Sequence, residues 1–285
     1  ENCLNQLLIG LILAEKEEAI PFCVVKLTGL IPFEILEKLD GKKTLTEKQK
    51  QAFERGKKRV YQIASAAKTA NTPFMIDAEE SWIQDTIDTI VFDLMLEFNK
   101  ERALIYNTVQ MYRHDRLEYI KELFVLSQKS KIHLGLKIVR GAYMEKEREK
   151  AKDKGYASPI QVDKASTDKD YNLALQFCSD HHENIAICCG THNEASSLLL
   201  TDLMKQKNIS KENNYFYFAQ LLGMSDHISY NLSKEGYNVA KYVPYGRVKE
   251  VMPYLIRRAN ENTSVAGQTG RELSLIQREL ERRKL

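Results

Sequence analysis

A chain of 285 residues with 43% hydrophobic side chains can bury a large core, and its 28% charged residues leave a net charge of only +3. So even a balance of signs gives no case for a nucleic-acid or polyanion binder. The five cysteines (Cys3, Cys23, Cys178, Cys188 and Cys189) form no CxxC, and their odd number suits free thiols in a reducing compartment.

Residues 4–13 are the most apolar stretch, but Asn5, Gln6 and Gly10 interrupt it. It has no basic lead-in and no small-residue cleavage site, so it reads as neither a membrane span nor a signal peptide. Position 1 is Glu rather than Met, which leaves an upstream targeting segment open. Short apolar runs suited to buried strands then recur at 22–27, 73–77, 103–109, 133–139, 184–189, 215–221 and 239–243. Between them lie helical patterns. Thr46 and Gln49 have capping-box spacing and precede a stripe of Phe53, Val60, Ala64 and Ala67. A second helix starts at Ser81 and aligns Ile83, Ile87, Ile90, Leu94 and Phe98, and a third carries Leu117, Ile120 and Phe124.

Strand–helix alternation of this kind means parallel strands. No GxGxxG follows any of the strands, which removes the usual dinucleotide turn of doubly wound sheets. The expectation is a (β/α)8 TIM-type barrel. Seven strands are visible where closure needs eight, so the first is expected upstream of Glu1. Residues 40–43 form a polar loop, and no repeat, low-complexity tract or Pro/Gly-rich linker divides the chain. Residues 1–285 therefore read as one domain.

Barrels carry their chemistry at the C-terminal ends of the strands. Those ends hold Lys26, Asp77 with Glu79 and Glu80, Gln110, Lys137 with Arg140 and Tyr143, Thr191-His192-Asn193, Gln220 and Tyr242. Packing alone does not explain so many polar groups at equivalent places, although each has a plainer reading. Lys26 and Asp77 also suit a simple ion pair, His192 a structural histidine, and Gln110 a cap. His181 and His182 read as a solvated helix end, and with no HExxH and no third ligand no metal site is expected. Cys188 and Cys189 read as small core residues. Residues 281–284 read as a solvated helix end, with attachment to acidic lipid as the alternative.

On a late helix, Tyr254, Arg257, Arg258 and Glu261 fall on one side. Adjacent guanidiniums grip a carboxylate or phosphate with paired charged hydrogen bonds. The plainer reading is a solvated basic face with an intrahelical salt bridge. Together these residues imply a basic, partly apolar pocket for an anionic cofactor and a small carboxylate. Two chemistries fit: a Schiff base on Lys137, or hydride transfer to a flavin over the barrel mouth. The lack of a Gly-rich loop after the last strand argues against a phosphosugar aldolase.

The segments VKLTGL (25–30), MIDAEES (75–81), NTVQMYR (107–113), LKIVRGAYMEKER (136–148), THNE (191–194), FAQLLGMSDHISY (218–230) and KYVPYGRVKEVMPYLIRRANEN (241–262) resemble the proline dehydrogenase family in family order, over nearly the whole chain. With no aldehyde dehydrogenase module, the resemblance points to the monofunctional type. It implies FAD as cofactor and oxidation of L-proline to Δ1-pyrroline-5-carboxylate by hydride transfer to flavin N5, with electrons passed to a membrane quinone. A C-terminal helix would carry the substrate clamp over the barrel mouth. Arg257 and Arg258 would hold the proline carboxylate with Lys26 as third cation, and Tyr242 and Tyr254 would wall the ring with Leu221 and Asp77 nearby. Gln110, Lys137, Arg140, Gly141, Ala142, Thr191, His192, Asn193, Gln220 and Glu261 would surround the cofactor. Lys26, Asp77, Lys137, Arg257 and Arg258 form the implied catalytic set.

Departures from the family pattern are few. Arg247 stands where proline is frequent, Ala219 where glycine is frequent, and Lys137 is arginine in some branches. The family's first strand, with its Asp-Tyr-type motif, has no counterpart here. Peripheral membrane contact follows from a quinone acceptor, either at the cytoplasmic face of a bacterial inner membrane or in the mitochondrial matrix. Two rivals remain: a hydroxyproline dehydrogenase, opposed by Tyr242 crowding the carbon that would bear the hydroxyl, and a non-catalytic barrel that binds flavin or proline. Oligomeric state is not legible.

Overall fold

Every run expected to be a strand is one. The computed structural model describes residues 2–244, 248–249, 251–252, 254–256 and 268–284. It falls into two compact units, Glu1–Lys241 and Tyr242–Leu285. The first begins with α1 (Asn2–Lys16), β1 (Cys23–Val25), α2 (Phe33–Asp40), α3 (Glu47–Thr69), β2 (Phe74–Ile76), α4 (Ser81–Phe98) and β3 (Ile105–Gln110). It continues through α5 (Arg116–Ser130), β4 (Leu134–Val139), α6 (Met144–Lys154), α7 (Lys164–Asp180), β5 (Ile185–Gly190), α8 (Glu194–Gln206), β6 (Phe216–Leu221), α9 (Asp226–Lys234) and β7 (Val239–Tyr242). The strands form one sheet in the order β1 to β7, and the registered pairs from β1 to β6 are all parallel.

The sheet is curled. Neighbouring strands lie about 4.8 Å apart, so a flat sheet would hold β1 and β6 roughly 24 Å apart. Yet Phe22, just before β1, packs edge-on against Tyr217 of β6 with ring centroids 4.7 Å apart, and against Tyr106 of β3 at 5.6 Å. Alternation along each strand then separates two cores. The inner one holds Met75, Tyr106, Ala186 and Cys188, with Phe22, Val24 and Tyr217 against it. The outer one fills the space between sheet and helices with residues such as Ile76, Ile105, Leu136, Ile187 and Phe218. Cys188 and Cys189 thus face opposite cores, both buried, as small apolar residues. Among the described residues β1 and β7 are the sheet's edges, and an eighth strand is not present.

The capping box acts as expected. Thr46 and Gln49 make the reciprocal capping-box bonds of α3, which buries Val60, Ala64 and Ala67. Asp163 caps α7 and Asn193 caps α8 through their side chains. His181 differs from its reading as a solvated helix end: its ring stacks on Phe124 at 4.1 Å and meets Phe177 at 4.7 Å, because the end of α7 lies against α5. No cluster of three potential metal ligands occurs among the described residues.

In the second unit Val248–Lys249, Val251–Met252 and Tyr254–Ile256 are helical, followed by α10 (Gln268–Arg283). Residues 281–284 are exposed, as expected. Arg247, Arg257, Arg258 and Glu261, and with them the carboxylate clamp, lie outside the described residues. No helix among the described residues is long and apolar enough to cross a membrane.

Candidate active site

The site is built where β1, β2 and β4 end. Val25 pairs with Ile76, so the next residues, Lys26 and Asp77, emerge side by side. Lys137 projects from β4 and reaches Asp77 across β3, donating from Nζ to Oδ1. Lys26 Nζ lies 3.7 Å from the other carboxylate oxygen. One carboxylate thus carries two ammonium groups. Burial alone would push the Asp77 carboxyl up, but Lys137, then Lys26, together with their hydrogen bonds outweigh it and hold it below the usual carboxylate range. Burial likewise pulls Lys26 down, and Asp77, Tyr143 and Glu79 overcome it to raise the ammonium's pKa. Lys26 also donates to the Tyr143 hydroxyl at 3.3 Å. The plainer reading of Lys26 and Asp77, an ion pair, is therefore correct as geometry, but Lys137 makes it a triad.

Glu79 ties this triad to its surroundings. Its carboxylate accepts from the Thr28 amide at 3.1 Å and from the Thr28 hydroxyl at 2.5 Å, which fixes the turn after Lys26. Its own amide donates to Gln84, and its carbonyl accepts from Gln110 Nε2 at 2.7 Å. Gln110, expected at the cofactor, is thereby oriented by the loop after Asp77. The start of α4 is held in turn by Glu147, a buried carboxylate on α6 that accepts from the Ser81 amide at 2.6 Å and from its hydroxyl at 2.5 Å. Glu80, next in the loop, is paired with Lys146.

Arg140 follows β4 and is deeply committed. Its guanidinium donates to Asp168 at 2.6 Å, Thr191 at 2.7 Å and Ser196 at 2.9 Å, and stacks over Tyr171. That uses three of its five N–H groups. Gly141 has φ +132, and a Cβ there would stand 2.6 Å from the ring of Tyr112, so only glycine fits. Ala142 is exposed beside it.

After β5, Thr191 accepts from the Asn193 amide at 3.0 Å, Asn193 caps α8, and His192 Nδ1 lies 3.1 Å from the Ser225 hydroxyl. Gln220 turns toward α9, accepting from Ser229 at 2.8 Å and donating to the Thr191 carbonyl at 3.2 Å. Leu221 ends β6, half-buried. In the second unit the rings of Tyr242 and Tyr254 meet at 5.8 Å, tilted by 50°.

The structure therefore brings Lys26, Asp77, Lys137 and Gln110 into one connected network, and Arg140, Thr191, Asn193, His192 and Gln220 into another. Sequence reasoning gave no role to Thr108, Glu147 or Ser225. Thr108 pairs in register with Lys137, and its buried hydroxyl has no hydrogen-bond partner among the described residues. Period-two alternation from Tyr106 placed it on the inner face; its polarity there was the available signal. An unsatisfied hydroxyl, an amide, two cations and a glycine that keeps the backbone open form a donor set suited to an anionic, hydrogen-bonding cofactor such as a flavin. Pairing with Asp77 leaves Lys137 as an ion-pair member rather than a pocket nucleophile, which disfavours the Schiff-base chemistry.

The family model described as "Proline dehydrogenase" matches residues 12–271. "Proline dehydrogenase 1, mitochondrial" of Caenorhabditis elegans is 37% identical over 244 residues, covering 84% of this chain and 40% of that protein. "Proline dehydrogenase 2, mitochondrial" of Arabidopsis thaliana is 36% identical, covering 84% and 51%. "Hydroxyproline dehydrogenase" of Xenopus laevis is 35% identical, covering 89% and 56%. The chain thus spans about half the length of these relatives or less. Among solved structures, proline utilization A from Bdellovibrio bacteriovorus inactivated by N-propargylglycine superposes with a TM-score of 0.75 at 24% identity, over 85% of this chain and 24% of that one. The same-named protein from Corynebacterium freiburgense gives 0.74 at 18% identity, over 92% and 27%. The parallel, curled α/β sheet is therefore the fold of those enzymes' barrel-like portion, and the chain belongs to the proline dehydrogenase family.

Proposed function

We propose that this chain binds FAD and oxidises L-proline to Δ1-pyrroline-5-carboxylate. The observation that supports it best is the Lys26–Asp77–Lys137 triad, brought together from β1, β2 and β4, in a chain of this family. Lys137, Gln110, the Arg140–Ala142 turn, Thr191-His192-Asn193, Gln220 and Glu261 would hold the cofactor. Gln220 does so through Thr191 rather than by contact. When bound, FAD supplies the hydride acceptor and the route by which electrons pass to a quinone.

Everything else is the work of side chains. On the family resemblance, Arg257 and Arg258, with Lys26, would bind the substrate carboxylate, and Tyr242, Tyr254 and Leu221 would enclose the ring and keep water out. Proline reacts as the neutral amine, because an ammonium nitrogen has no lone pair to expel hydride from the adjacent carbon. Asp77, held as a carboxylate, offsets Lys137 and Lys26, so the site keeps the positive field needed for one carboxylate without an excess. Fixing that carbon is mainly a matter of orientation.

We read residues 1–285 as one catalytic domain, with the first barrel strand supplied from upstream. Names of relatives containing "mitochondrial" support the matrix as compartment, and a quinone acceptor implies peripheral contact with the membrane. The relative named hydroxyproline dehydrogenase keeps a second substrate in view. Turnover with L-proline and an artificial quinone, with the imine product trapped and quantified, tests the reading. Equal molar product and reduced acceptor are expected, and no proline-dependent reduction would contradict it. Tyr242→Ser is expected to raise the ratio of hydroxyproline to proline kcat/KM about tenfold; an unchanged ratio would remove the crowding argument.

A further inference from the structure

Ser225 is the one buried non-glycine residue with left-handed backbone among the described residues, at φ +51 and ψ +43. The other four, Lys42, Asn71, Lys131 and Asn208, are exposed and follow helices, where a left-handed residue commonly ends the helix. Ser225 instead precedes α9, and its side chain makes no cap bond there. Left-handed backbone strains a residue with a Cβ, a strain glycine does not have. Glycine is used two residues earlier, at Gly223 with φ +75, but not here.

What serine has and glycine lacks is the hydroxyl 3.1 Å from His192 Nδ1. The same corner reaches the His192 loop by a second route. The Ser225 carbonyl accepts from the amides of Ile228 and Ser229, the Ser229 hydroxyl donates to Gln220, and Gln220 donates to the Thr191 carbonyl. Lys241 steadies the corner from β7 by donating to the Met224 carbonyl at 2.9 Å. Backbone and side-chain links thus fix Thr191 and His192 together.

We propose that Ser225 is a positioning residue for the cofactor site: its hydroxyl fixes the plane of the His192 imidazole through Nδ1, and the strained backbone is retained for that bond. This rests on the flavin reading above only for its effect on FAD. The test uses Ser225→Gly, which removes strain and hydroxyl together, so its Tm should hold or rise. In protein labelled with 15N-histidine at pH 8, the ring nitrogens of His192 are assigned with His192→Ala. In the glycine variant the Nδ1 shift should move, because that nitrogen loses its hydrogen bond, and Nε2 should move less. The FAD Kd should rise roughly fivefold, the size of one neutral hydrogen bond. In the His192→Ala background the same substitution should cost nothing more. Unchanged nitrogen shifts, or an equal loss of FAD affinity with and without His192, would overturn the proposal. A wild-type chain with no FAD affinity would refute the flavin reading, while the nitrogen shifts would still decide whether Ser225 holds His192.

Discussion

Asp77 is flanked by unequal partners. The Lys137 side chain is 13% exposed and that of Lys26 45%, against 17% for Asp77 itself. Removing the more buried partner leaves a carboxylate compensated only at 3.7 Å. Lys137→Met should therefore cost about 3 kcal/mol of stability, as when one member of a buried pair is lost. Lys26→Met should cost less than about 1 kcal/mol because water screens it. Urea unfolding of both variants checks the order, and equal losses would show that burial of Lys137 does not set its weight in the pair. The positions of Lys26, Asp77, Gln110 and Lys137 were legible because barrels place chemistry at strand ends. The direction of Gln220 was not, because period two assigns it to the outer face while its polarity suggested the inner one. Ser225 was hidden for another reason: nothing in GMSD marks the serine rather than the glycine as the residue that is strained for a purpose.

At the scale of elements, long-range polar contacts lock helices whose own sequences do not cap them. Glu147 caps α4 from α6, and no local pattern announces a cap supplied 66 residues away. Glu147→Ala would leave two donors unsatisfied and should cost about 2 kcal/mol, lowering Tm by several degrees; a change within a degree would mean water replaces the carboxylate. At the start of α5, Asp115 sits between Arg113 and Arg116. Burial would raise its carboxyl, but hydrogen bonds from Arg116 and Arg113 and their charges bring it down to about 2. A folded-state value below the unfolded one, near 3.9, gives stability that is present above about pH 4 and lost as pH falls toward 2. The Tm difference between wild type and Asp115→Asn should follow that window, and a difference that persists unchanged at pH 2 would contradict the pairing.

Over the whole molecule, the strand–helix alternation was readable to within two residues at each end of every strand, because buried parallel strands are short apolar runs and the helices between them carry clear stripes. The barrel reading carried the curl of the sheet with it, and Phe22 and Tyr217 meeting across the interior bear it out. The aromatic contacts that draw His181 out of solvent were not legible, because Phe124 lies on a different helix. We propose that the polar strand ends of this sheet hold a flavin that proline reduces. An absorption spectrum of the purified protein, recorded without oxygen before and after adding L-proline, distinguishes the outcomes. Flavin bands that bleach with proline are the expected result. Bands that persist would give the site another substrate, and a colourless protein that cannot be reconstituted with FAD would contradict the account.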